Sequence, residues 1–296
     1  MREGVARRAR VVSVGRNAAW IAFDDEHRLR PASLRKHTER LSLVTGDLVL
    51  ARDLDGERAV VDSREPRSFA LTRTTAGGRT KTMAANIDAV AIVAAFDRPP
   101  LHLAMVDELL AFAEIHGLRA FLLLTKPDLV AGDERERVTG LYRGLGYAAF
   151  ELNPKSGGGV AEVEQLLAGH QTLLIGQSGV GKSSLFAALG GGGGTIGAVS
   201  KTGRGRQTTT SARLQRLGEG FLIDSPGVGE FELQDVPWRD VVHGFTEFRE
   251  LAPTCRFRDC THRSEPGCSV RTAVNDGVIA RGRYASYLSI VARAQM

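Results

Sequence analysis

Short apolar runs broken by turn residues fill the N-terminal part of the chain. Arg10 to Val14 and Ala19 to Phe23 flank a turn at Gly15-Arg16-Asn17. Asp47 to Asp53 and Glu57 to Asp62 flank Asp55-Gly56, a strong hairpin pair. Several short strands in about 65 residues fit a small closed β-barrel, for which an OB-fold is the best candidate; pattern alone does not separate it from an SH3-like barrel. Residues 69–83 contain Thr72-Arg73-Thr74-Thr75-Ala76-Gly77-Gly78 and read as a linker or exposed loop.

Beyond that segment the pattern changes to alternating strands and helices. Ile87 to Phe96 reads as a buried strand, and a helix follows Pro99-Pro100 with Leu103, Val106, Leu110 and Ala113 along one face. Phe121 to Leu124, Leu173 to Ile175 and Phe221 to Ile223 read as further strands. Gly190 to Gly194 cannot pack a core and opens a loop of roughly 20 residues, unusually long for a compact domain. The loop reads as a nucleotide-sensing switch or as an insertion without a role, and its Thr-rich end favours the switch.

Composition narrows the class. The longest apolar run, Ala89 to Phe96, falls far short of the roughly 20 residues a membrane helix needs. The charged start, Met1-Arg2-Glu3-Gly4, lacks the apolar core of a signal peptide, so a cytoplasmic protein with no membrane partner is expected. Net charge is +6 over residues 1–82, −4 over 83–236 and +3 over 237–296. Basic flanks either touch phosphate or are simply solvated surface.

Three motifs sit at or just after the C-terminal ends of strands, where open parallel sheets bind ligands. Gly176-Gln177-Ser178-Gly179-Val180-Gly181-Lys182-Ser183, continued by Ser184, has the spacing of a phosphate loop. Its backbone N–H groups converge on phosphates at a helix N-terminus, Lys182 pairs with β/γ oxygens, and Ser183 ligates magnesium. Asp224-Ser225-Pro226-Gly227 follows a strand, so Asp224 can hold the magnesium shell through water and the Gly227 N–H can sense a γ-phosphate. Alone that motif is also an ordinary turn. Thr125-Lys126-Pro127-Asp128 reads a guanine base: Asp128 accepts from its ring N–H and amine, and Lys126 lies over the ring. Thr125 stands where Asn is common. Asn153-Pro154-Lys155 takes the place of a further loop beside the base. In ordinary GTPases the phosphate loop leads; here the base-reading motif comes first, which points to a circularly permuted GTPase domain.

All three cysteines fall in Cys255-x4-Cys260-x-His262-x5-Cys268. Three thiolates and an imidazole suit one closed, structural zinc site, surrounded by Arg256, Arg258, Arg263 and Arg271. Tyr284 and Tyr287 can stack on RNA bases or pack a terminal helix with Leu288 and Val291; packing is favoured.

On these motifs, together with Ala85-Asn86-Ile87-Asp88 and Gly205-Arg206-Gln207-Thr208-Thr209-Thr210, the chain resembles the ribosome small-subunit-dependent GTPase A family over almost its whole length. The resemblance implies an OB-fold barrel (1–68), a circularly permuted α/β GTPase domain (69–236) and a small α-rich zinc domain (237–296). It implies GTP/GDP, Mg and Zn as bound groups, with the small ribosomal subunit and its rRNA as partner in late subunit maturation. A monomer is expected. Gln207 replaces the family's usual His, and Val228 stands where conventional GTPases keep a water-orienting Gln. Gln207 either orients the attacking water or is only a surface switch residue, and Thr209 and Thr210 are the candidate switch threonines. A GTP-switched zinc and OB-fold RNA-binding adaptor with negligible turnover is the alternative. A third reading is a permuted GTPase acting on another RNA or on the large subunit.

Overall fold

The computed structural model describes residues 5–15, 19–26, 28–34, 42–74, 80–190, 213–224 and 236–295. The chain divides into two compact units, one of residues 1–89, 153–175 and 181–229, the other of residues 90–152, 176–180 and 230–296.

The first unit begins with a closed barrel of β1 (Arg7–Val14), β2 (Ala19–Phe23), β3 (Leu29–Leu34), β4 (Leu48–Asp53) and β5 (Ala59–Arg64) in the order β1-β2-β3-β5-β4. β1 pairs with both β2 and β4, so the sheet has no free edge there. The small residues Ala9, Ala51 and Ala59 share the barrel core with Ile21 and Phe23, as suits a narrow barrel filled by side chains. The parallel pairing of β3 with β5 gives the OB-fold order expected.

Residues 69–83 are not a linker. Ala70–Thr74 and Thr80–Ala85 form an antiparallel hairpin, β6 and β7. Thr72 and Thr82, paired across the two strands, suit a pleated, half-buried surface. Gly46 explains why the hairpin sits where it does: its backbone has φ +91°, and a Cβ there would lie 2.1 Å from the Ala85 carbonyl oxygen. Asn86 then donates to the Gly46 carbonyl at 3.1 Å and accepts from the Ser68 N–H at 2.9 Å. β11 (Gln171–Ile175), β13 (Gly220–Asp224) and β12 (Arg213–Leu217) follow side by side, β11 parallel and β12 antiparallel to β13. Helices α3 (Val160–Leu167) and α4 (Lys182–Leu189) complete the unit.

The second unit holds a run of strands in the order β10-β9-β8: β8 (Ala89–Ala95), β9 (Arg119–Thr125) and β10 (Ala148–Leu152). Every residue of β8 is buried, as its continuous apolar sequence requires. Of the face its spacing predicts, α1 (Leu103–Ile115) buries Val106, Leu110 and Ala113 and leaves Leu103 half-buried; it also buries Asp107. α2 (Gly132–Gly144) joins β9 to β10. The C-terminal part is helical, with short 3-10 turns, α5 (Ser269–Asn275) and α6 (Arg281–Ala294). Among the described residues no helix is long and apolar enough to cross a membrane.

Candidate functional site

Thr125 is the last residue of β9 and is buried. Its hydroxyl lies 2.5 Å from the Val180 carbonyl oxygen and 3.3 Å from that of Ala94, so it ties the strand end to the phosphate loop. Lys126 takes a left-handed conformation, φ 56°, which turns the chain out of the strand. Its ammonium donates to the Gly179 carbonyl at 3.0 Å and to that of Arg98. Two consecutive side chains, Thr125 and Lys126, thus grip two consecutive carbonyls of the Gly176–Gly181 loop. Asp128 follows on an exposed 3-10 turn, Pro127–Leu129.

The phosphate loop itself is shaped by glycines. Gly176 has φ +143°, and a Cβ there would come within 2.1 Å of the Val93 carbonyl oxygen. Gly179 and Gly181 also have positive φ, and Gly181 is the N-cap of α4. Val180 is buried beneath the loop, while Ser178, Gly179, Ser183 and Ser184 are exposed and Gln177 is half-buried. An open loop of backbone N–H groups leading into a helix N-terminus is a cradle for an anion.

Lys182 starts α4, and burial lowers its pKa while the nearby Asp224 carboxylate partly opposes that shift. Asp224 ends β13, is 6% exposed and accepts from the Arg213 guanidinium at 2.6 Å. Arg213 faces Asp224 directly across the β12–β13 ladder and lies over the Phe186 ring at 5.1 Å. Gln215, fully buried, donates to the Phe186 carbonyl at 2.9 Å. Sequence reasoning missed Arg213 and Gln215, whose partners are set by strand pairing. Asn153 makes a local turn, its side-chain oxygen accepting from the Lys155 and Ser156 N–H groups. Gln207, Thr209, Thr210, Gly227 and Val228 lie outside the described residues.

Cys255, Cys260, His262 and Cys268 converge, their ligand atoms all within 4.8 Å of one another. His262 Nδ1 lies 3.5 Å from the sulfurs of both Cys255 and Cys268, which are 3.9 Å apart. Tetrahedral zinc, with bonds of about 2.3 Å to sulfur and about 2.0 Å to nitrogen, has ligand–ligand edges of that size. The donor set and its geometry therefore fit one zinc ion with no open position. Burial lowers the pKa of His262 and so favours the neutral, ligating imidazole. Burial, joined by the neighbouring thiols, pushes the Cys260 thiol up to about 12, so the bare cluster disfavours thiolates and a dication reverses that preference.

The shell around the cluster is built. Tyr284 donates its hydroxyl to the His262 carbonyl at 2.6 Å and Tyr287 to that of Thr261 at 3.0 Å. Tyr287 also packs against Phe245 and Phe248, centroids 5.5 and 5.0 Å apart. Tyr287, 2% exposed, packs as the helix-packing reading expects, and Tyr284 is half-buried beside it. Glu265 accepts from the Thr261 hydroxyl and from the N–H groups of Thr261, Arg263 and Ser264. Burial works against its charge, but these donors hold its carboxyl at about 2.

Beside the cluster lies a buried charge network that the sequence did not reveal. Arg283, 1% exposed, donates to both carboxylate oxygens of Glu247 at 2.7 and 3.0 Å and to Asp107 at 2.8 Å. Asp107 also accepts from Tyr142 at 2.8 Å and from Ser286 at 2.5 Å. Burial works against the Arg283 charge, yet pairing with Glu247 and Asp107 raises its pKa overall.

Residues 64–234 match the model of the family described as RsgA GTPase. A small ribosomal subunit biogenesis GTPase RsgA of Ectopseudomonas mendocina is 44% identical over 259 residues, covering 85% of this chain and 75% of that protein. The protein of the same name from Azotobacter vinelandii is 44% identical over 257 residues, with the same coverage. The crystal structure of YjeQ from Thermotoga maritima superposes with a TM-score of 0.79 at 30% identity, covering 98% of this chain and 99% of that one. YloQ, described as a circularly permuted GTPase, superposes with a TM-score of 0.78 at 22% identity over 99% and 96% of the two chains, a likeness of fold.

Proposed function

The chain belongs to the RsgA GTPase family, and from that premise we propose that it hydrolyses GTP on the small ribosomal subunit and assists that subunit's late maturation in the cytoplasm. The observation that carries this reading is the grip of Thr125 and Lys126 on the Val180 and Gly179 carbonyls, which links base recognition to phosphate binding. Asp128 reads the guanine edge. The N–H groups of Gly176 to Ser184 cradle the phosphates, Lys182 pairs with the β/γ oxygens, and Ser183 with Asp224 holds the magnesium shell. Gly176 supports that assignment, because any side chain there would strike the Val93 carbonyl and force the loop out of this path. Bound magnesium supplies charge neutralisation at the phosphates. Cys255, Cys260, His262 and Cys268 hold the zinc, which fixes the C-terminal helices.

In this reading residues 1–68 and 237–296 are RNA-facing modules around a GTPase domain of 69–236, and the protein acts as a monomer. The Gly227 γ-phosphate sensor lies about ten residues before the zinc module, so the nucleotide state moves that module directly and the GTP form grips rRNA more tightly than the GDP form. Gln207 orients the attacking water, and Thr209 and Thr210 are the switch threonines that meet magnesium and the γ-phosphate.

Steady-state hydrolysis tests the proposal: GTP and ATP, each alone, with small subunits and with large subunits. Stimulation of GTP turnover by small subunits alone is expected. Tight GTP binding without stimulation overturns the catalytic reading in favour of the adaptor. Stimulation by large subunits overturns the choice of partner. Gln207→Ala is expected to lower stimulated turnover without weakening GTP binding; unchanged turnover removes Gln207 from the mechanism.

A further inference from the structure

Between Cys255 and Cys260 the chain makes a tight loop, closed by the Cys260 N–H donating to the Phe257 carbonyl at 3.2 Å. At its tip stands Phe257, 39% exposed. Fully burying a Phe side chain contributes about 1.5–3 kcal/mol, so the fold forgoes stabilisation there. Single exposed apolar residues are common and need no explanation by themselves. This one differs because the surface around it is constructed. The guanidinium of Arg256 lies over the ring, 5.5 Å from its centroid. Arg256 is held by its N–H donating to the Gly267 carbonyl at 3.0 Å and by its stem lying across Gly267. A Cβ on Gly267, whose φ is +72°, would come within 3.0 Å of the Arg256 Cβ.

Arg258 and Arg263 are also exposed on the loops of this cluster. Residues 252–272 carry four arginines against Asp259 and Glu265, and the carboxylate of Glu265 is taken up by its own turn. An aromatic backed by one guanidinium, on a surface that also exposes Arg258 and Arg263, the latter donating to Gln295 at 2.9 Å, fits an unpaired nucleobase whose flanking phosphates the arginines meet. An apolar pocket on a protein partner would leave those arginines desolvated without anions.

We propose that Phe257 is a stacking platform for an unpaired RNA base, with Arg256 behind the ring and Arg258 and Arg263 on the neighbouring phosphates. The proposal rests on the small-subunit reading above and specifies how the zinc module meets its RNA.

The test uses the full-length, zinc-loaded chain and compares Phe257→Leu, Phe257→Ala and Phe257→Tyr with the parent. Affinity is measured for purified small subunits and for protein-free small-subunit RNA, each at several salt concentrations, with zinc content confirming that each variant is folded. Stacking is sequence-tolerant but needs a π-face, so Tyr keeps the affinity while Leu and Ala lose about tenfold on both RNA and subunits. The salt slope stays unchanged for Phe257→Leu, because no phosphate contact is removed. If Leu binds like the parent, or Tyr binds as weakly as Leu, the stacking platform is overturned. It is equally overturned if the loss appears on whole subunits and not on bare RNA, which would place a protein pocket there. A parent chain that binds neither probe sinks the small-subunit reading itself, an outcome separate from all of these.

Discussion

Replacing Arg283 by Met is the most demanding perturbation of the C-terminal part of the chain. Met keeps most of the volume and removes the charge. The Arg283, Asp107 and Glu247 side chains are only 1%, 2% and 10% exposed, so the two carboxylates would remain buried without their cation. Breaking a buried ionic set by removing one member costs about 3–5 kcal/mol. The guanidinium also lies 4.6 Å from the Phe245 centroid, a contact worth up to about 2 kcal/mol when desolvated. Against a domain stability of about 5–15 kcal/mol, the expected loss of at least 3 kcal/mol is a large share. Urea unfolding followed by far-UV circular dichroism reads it as a lower midpoint. Glu247→Gln in the Arg283→Met background is expected to restore part of the loss, whereas Glu247→Gln alone destabilises. A loss below about 1 kcal/mol, or strict additivity of the two changes, would refute the claim that these charges depend on one another.

Three further outcomes follow from the described geometry. Gly176→Ala should abolish GTP binding, measured with a fluorescent nucleotide, because its Cβ would sit 2.1 Å from the Val93 carbonyl oxygen; retained affinity would mean the loop can shift at little cost. Thr125→Ala removes a buried donor shared by the Val180 and Ala94 carbonyls, costing about 1–3 kcal/mol. GDP affinity should fall about tenfold while the preference for guanine over adenine persists, as competition binding would reveal. Each chain should hold one zinc, lost on Cys268→Ser and on acidification, because protons compete for His262 and the three sulfurs; elemental analysis after dialysis at stepped pH reads this, and metal retained at pH 4 would contradict it.

The sequence exposed those parts of the site whose chemistry dictates residue types at contiguous positions. A phosphate cradle needs glycines followed by Lys182, and a zinc site concentrates residues as rare as Cys and His, so both stood out. The barrel strands β1, β2, β4 and β5 were legible from turns and alternation. β3 was not, because Pro31 within it argues against a strand until its pairing with Trp20 is known. The hairpin of β6 and β7 looked like a linker because Thr, Arg and Gly dominate it, and what orders its far end is the close passage of Gly46. Arg213 and Asp107 were invisible for a common reason: nothing local to either residue announces its partner. One finds Asp224 across a ladder, and the other finds Arg283 far along the chain.

That last separation has a consequence for synthesis. Arg283 and Ser286 reach Asp107 across 176 and 179 residues of chain. Translation proceeds from the N-terminus at about 5–20 residues per second, so α1 leaves the ribosome roughly ten seconds or more before α6 exists. Throughout that interval Asp107 can meet Tyr142 but lacks the Arg283 guanidinium and the Ser286 hydroxyl. A nascent chain stalled anywhere between them therefore carries an unfinished second unit, however complete its barrel.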